Sequence, residues 1–159
     1  MPPLAFIGDL HGDFQALVHA TNLVRAAGCV AAVQVGDFGF FPDDLPAFLT
    51  TAGRLPLPVH VIDGNHEDHD WLHLLQTLDR EATLRRWAAE HDLHYHPRGT
   101  VSMLAGLLVA WCGGAAHTDR PQEYQAPQDT AWRGPPGQPC VVFMGQCGGC
   151  APGAHGHQG

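Results

Sequence analysis

The chain has 159 residues, 45% of them hydrophobic, and a formal net charge of -8. That length suits one domain with a real core, and the apolar content excludes an intrinsically disordered chain. The acidity argues against strong nucleic-acid binding, which calls for a basic face. It does not exclude a small phosphorylated substrate, because bound cations invert the local field. All eight basic residues are arginine, with no lysine. Met1-Pro2-Pro3 lacks the basic start of a secretory signal, and no apolar run approaches the roughly 20 residues that cross a membrane. The expectation is a soluble, cytoplasmic protein without a membrane partner, of undetermined oligomeric state. Five cysteines, an odd number, fit reduced thiols better than a disulfide framework.

The first apolar run, Leu4 to Ile7, predicts a strand that stops at Gly8. From Asp13, which can cap, a helical period follows through Phe14, Leu17, Val18, Thr21 and Val24, with Gly28 as its stop. Val30 to Val35 predicts a second buried strand ending at Gly36, and a helix follows near Asp43 to Ala52. Val59 to Ile62 is the third strand, stopping at Gly64; helices are expected near Asp70 to Gln76 and Arg80 to His91. Short strands at Leu93 to Tyr95, Val101 to Leu104 and Leu107 to Trp111 come next, with turns at Gly99 and Ala105-Gly106. The alternation of continuous apolar strands with helices argues for an α/β fold on a largely parallel sheet. The later hairpins imply strands in a mixed or second sheet.

After Arg133 the composition shifts. Residues 134–159 hold eight Gly and four Pro and no charged side chain, and only Val141 to Met144 reads as a strand. The expected organisation is therefore a domain over 1–133 and an irregular tail over 134–159.

Three strands end alike: in Gly8-Asp9-Leu10-His11-Gly12-Asp13, in Gly36-Asp37 and in Gly64-Asn65-His66-Glu67. Residues just beyond the carboxyl ends of parallel strands line one crevice, where ligands bind. Asp9, His11, Asp37, Asn65 and His66 are thus expected to converge. Their carboxylate, amide and imidazole donors suit borderline or hard divalent ions such as Mn, Fe or Zn. Taken singly, each turn is weak evidence; the ordered trio is a strong signal.

The motifs "GDLHGD" at 8–13, "GDF" at 36–38 and "GNHED" at 64–68 resemble those of the calcineurin-like metallophosphoesterases. "VQVGDFGFFP", "HYHPRGT" and "CGGAAHTDR" resemble a branch of small bacterial proteins in that family, and the likeness runs from Leu4 to Arg133. The resemblance implies a four-layer αββα sandwich of mixed sheets flanked by helices. It implies two divalent metal ions, with Asp9 and His11 on one, Asp37 bridging and Asn65 on the second. His66 would stand beside the substrate and stabilise or protonate the leaving oxygen. The implied activity is hydrolysis of a phosphomonoester or phosphodiester by hydroxide activated between two cations about 3.5–4 Å apart.

The family pattern also implies a later strand ending in a metal-binding His and then a Gly-His-x-His turn. Here Val141 to Met144 runs into Gly145-Gln146, and the late pair His155 and His157 follows Ala154. The expectation is a fold and metal shell incomplete at the C-terminus. The alternative function is accordingly an impaired or inactive phosphoesterase that binds at most one metal weakly. Cys147 and Cys150 form a C-x-x-C without a thioredoxin setting or a second such pair, so a meaningless tail outweighs a zinc or redox module. His69 and His73, four apart, read as a solvated face, with His69 close enough to meet substrate. His91, His94 and His96 read as surface and packing residues. Phe38, Phe40 and Phe41 fit either core filling or a hydrophobic rim. Arg120, near His117 and Asp119, fits either a phosphate grip or a surface ion pair.

Overall fold

The computed structural model describes residues 2–77, 81–113 and 140–144. Strands β1 (Leu4–Ile7), β2 (Ala31–Val35), β3 (Val59–Ile62) and β4 (Leu93–Tyr95) form a sheet in that order, parallel throughout. β5 (Thr100–Leu104) and β6 (Leu107–Cys112) form a hairpin, and β7 (Cys140–Met144) adds to β6 in parallel. The second sheet is therefore mixed. β4 joins the first sheet, although its sequence reads as continuous with the later hairpin. The reason is the preceding pair of helices, which carry the chain back across the sheet so that β4 enters parallel to β3.

Side-chain alternation along the strands sorts residues into two cores. Ala32, Val59 and Val61 face a cluster with Phe14 and Leu17 of helix α1 (Phe14–Ala26), Leu45 and Leu49 of α2 (Asp44–Ala52), Leu72 and Leu75 of α3 (His69–Thr77), and Trp87 of α4 (Glu81–His91). Ala31, Val33 and Ile62 point the other way and meet Leu104, Val109 and Trp111 of the second sheet. The described residues thus give helices on a parallel sheet on a mixed sheet. No described helix is long and apolar enough to cross a membrane.

Helix α1 starts where the sequence says it should. The Asp13 carboxylate accepts from the Ala16 N–H at 3.0 Å, satisfying one of the unpaired first-turn donors. Thr21 sits on the buried face because its hydroxyl donates to Leu17 O at 2.8 Å, which removes the cost of burying it.

The far end of the first sheet carries a stack of rings between the two sheets. His60 lies between His94 and His96 at centroid distances of 4.8 and 5.1 Å, and His96 stacks on Trp111 at 3.8 Å. His60 Nδ1 and His96 Nε2 are 2.8 Å apart, so one donates and the other accepts. Burial first, then the neighbouring imidazoles, lowers His60 to about 4 and His96 to about 3. Both are neutral at physiological pH, and they serve packing rather than chemistry.

Candidate metal centre

The three strand-end turns are built against one another. The N–H groups of Leu10 and His11 donate to Asp37 O at 3.0 and 2.8 Å, and Gly12 N–H donates to Phe38 O at 3.0 Å. These bonds dock the first turn on the second. Gln34, fully buried in β2, ties the same pair from below: its amide NH₂ donates to the carbonyls of Gly8 and Gly36, and its oxygen accepts from the Gly36 N–H. The third turn is docked by the Asp37 carboxylate, whose Oδ1 accepts from the His66 N–H at 2.9 Å. Gly64 packs so closely on Asp37 that a Cβ there would collide with its Oδ1 and backbone N.

This packing brings together one donor atom each from Asp9, His11 and Asp37, all within 4.8 Å of one another. Asp37 is buried at 4% exposure, whereas Asp9 and His11 open to solvent. The His11 and Asp37 backbones lie in the left-handed region at φ 48° and 51°. Non-glycine residues there cost of order 1 kcal/mol or more each, and such strain collects at functional sites. The exposed His66 ring stands edge-on to the His11 ring with centroids 5.2 Å apart. Asn65, half-buried, lies between Gly64 and His66 in the turn docked on Asp37. The turns that carry these residues are docked on one another at the carboxyl ends of β1, β2 and β3, and the donor atoms shown to come together are those of Asp9, His11 and Asp37.

The donor chemistry fits a divalent cation. Two carboxylates and an imidazole meet at one spot, one carboxylate buried and the others reachable from solvent, with no thiolate among them. The concentration of carboxylate oxygens at one spot suits a cation.

A family profile for calcineurin-like phosphoesterases matches residues 2–155. The chain belongs to that family. No curated protein matches it. Membership in the calcineurin-like phosphoesterases carries the general expectation of metal-dependent phosphoester hydrolysis, and the Asp9–His11–Asp37 cluster is a candidate metal-binding triad to go with it.

Two residues of the site carry no expectation from sequence. Glu67, 7% exposed, accepts four backbone N–H bonds: Oε1 from Phe38 at 2.7 Å and Gly64 at 3.3 Å, Oε2 from Gly39 at 2.9 Å and Phe40 at 2.7 Å. The signal for it lies in the sharp glycine turns, which leave N–H groups without ladder partners and so require an acceptor from elsewhere. Asp63, 2% exposed, takes Nε and Nη2 of Arg98 on Oδ2 at 2.7 and 2.6 Å, and the Tyr95 hydroxyl on Oδ1 at 3.1 Å. Burial, and then the Asp63 charge, pushes the Tyr95 phenol well above its ordinary range, so it stays protonated and donates. Gly113, at the end of β6, packs against Asp63, so this network links the two sheets beneath the site.

Other expectations resolve differently. Phe38 and Phe40 are fully buried and fill the core, while Phe41 is half-buried, its ring over Gly12. His69 Nδ1 lies 4.0 Å from Asp63 Oδ2, so His69 leans on the Asp63 network. His73 is exposed. His117, Asp119, Arg120, Cys147, Cys150, His155 and His157, and the 134–159 tail apart from β7, lie outside the described residues.

Proposed function

We propose that this calcineurin-like phosphoesterase hydrolyses a small phosphate ester in the cytoplasm, using two divalent cations drawn from Mn, Fe or Zn. No nucleic-acid or membrane partner is part of the proposal. The observation that carries it is the convergence of Asp9, His11 and Asp37 within 4.8 Å, with an exposed imidazole at their rim. Asp9 and His11 would hold one cation, Asp37 both, and Asn65 the second. When bound, such cations neutralise charge on the phosphoryl group and make water acidic enough to supply hydroxide near neutral pH.

The chain's own side chains do the rest. Asp37, fixed by the His66 N–H and by its close contact with Gly64, keeps the shared carboxylate in place without reorganisation. His66 stands at the solvent side of the cluster, where a leaving oxygen would emerge, and donates a proton to it. The neutral departing alcohol then leaves without building up charge.

The test compares aryl and alkyl phosphate monoesters and diesters with Mn, in wild type and His66→Ala. Loss of the acid should lower kcat about 10²–10⁴-fold for an alkyl leaving group. The loss should be much smaller for nitrophenolate, which needs no proton. An equal loss for both esters would remove His66 from that role, and no turnover of any ester by wild type would favour a protein that only binds metal.

A further inference from the structure

The Glu67 carboxylate, buried at 7% exposure, has an unusual set of partners. Its two oxygens divide four N–H groups between them, two each, from two turns that are far apart in sequence. Three of those donors are consecutive, Phe38, Gly39 and Phe40, and they begin at the residue after Asp37. The fourth, Gly64, immediately precedes Asn65 and His66. Phe40 O in turn accepts from the Asp68 N–H at 3.2 Å, which closes the same pair of segments from the other side.

We propose that Glu67 is a positioning residue for the metal centre, holding the Asp37 and Asn65–His66 turns in the register that the ligands require; this rests on the metal-site reading above. The reason it must be a carboxylate is arithmetic in donors and acceptors. Four N–H groups converge on it, and a carboxylate offers about four lone-pair sites on two equivalent oxygens. A glutamine of the same shape turns one oxygen into NH₂, which faces two N–H donors and accepts from neither. The turn must then shift to solvate them. A shift at Phe38–Phe40 reaches both neighbours of Asp37: Phe38 O supports Gly12 of the first turn, and Asp37 Oδ1 supports His66. The strained Asp37 backbone, at φ 51°, persists only while its surroundings hold it there.

The experiment measures Mn affinity by titration calorimetry and amide hydrogen exchange in the metal-free protein, for wild type, Glu67→Gln, Glu67→Asp and the core control Leu49→Ala. Outer partners of metal ligands typically contribute about 10- to 100-fold to affinity. Glu67→Gln should therefore lose at least about tenfold in Mn affinity, with faster exchange at Phe38, Gly39, Phe40 and Gly64. Glu67→Asp keeps both acceptor oxygens and should fall between it and wild type. Leu49→Ala, which loses only packing in α2, should bind Mn as wild type does while melting lower. The proposal is overturned if Glu67→Gln binds Mn like wild type with its turn amides still protected, or if Glu67→Asp binds more weakly than Glu67→Gln. A wild type that binds Mn but hydrolyses no ester would sink the hydrolysis reading and leave this comparison standing.

Discussion

Replacing Asp63 with alanine should be among the most damaging single changes outside the metal cluster. Its carboxylate receives two charge-assisted bonds from Arg98, at 2.7 and 2.6 Å, and one from the Tyr95 hydroxyl at 3.1 Å. Bonds to charged groups contribute about 1.5–3 kcal/mol each, and all three end on the Asp63 carboxylate. Those bonds are not simply additive, because Arg98 retains 21% side-chain exposure and recovers some hydration. Breaking one side of a buried ion pair typically costs about 3–5 kcal/mol, mostly from the stranded partner charge. For a chain of this size that corresponds to a fall of roughly 6–20 °C in Tm. Urea unfolding of Asp63→Ala, Arg98→Met and the double variant measures it. The double variant should be less destabilised than the two single losses combined, since removing both leaves no uncompensated charge. Single losses below about 1 kcal/mol, the range of an exposed ion pair, or strict additivity would refute the reasoning.

The histidine stack makes acid a specific stress. His60 and His96 are held at about 4 and 3, below the ordinary 6.5, so the unfolded chain binds more protons than the folded one. Their contribution is complete above pH ~6.5 and is lost as pH falls from there towards 4 and then 3; urea midpoints should drop across that window, and His96→Phe should flatten the slope. Gly64→Ala should abolish Mn binding, because the added methyl collides with the Asp37 carboxylate and backbone; calorimetry on folded protein checks this, and wild-type affinity would contradict it.

The sequence conveys the strand ends well because they are local. β1, β3 and β4 begin and end where the apolar runs do, and the Gly8, Gly36 and Gly64 breaks stand just beyond the ends of β1, β2 and β3. The convergence of Asp9, His11 and Asp37 follows from parallel order alone. What is not legible is nonlocal. Glu67 serves N–H groups 27 to 29 positions away, and Asp63 meets Arg98 35 positions on, so neither partner can be inferred from spacing. Gln34 looks like a polar fault in an apolar strand until the two turns whose carbonyls it satisfies are in view. Phe38, Phe40 and Phe41 are indistinguishable as letters, because turn geometry rather than periodicity sends two inward and leaves the third over Gly12. β4 chooses its sheet by which edge the α3–α4 crossover leaves open.

On the proposed function, Asp37 anchors a metal-dependent ester hydrolysis. The direct measurement is Mn-dependent release of nitrophenolate from aryl phosphate mono- and diesters by wild type and Asp37→Asn, each first shown to be folded. Turnover should require added Mn in wild type and fall at least about 100-fold in Asp37→Asn, as expected for loss of a group that holds the reacting charge. Equal rates in the two proteins, or a wild-type rate indifferent to metal, would contradict it.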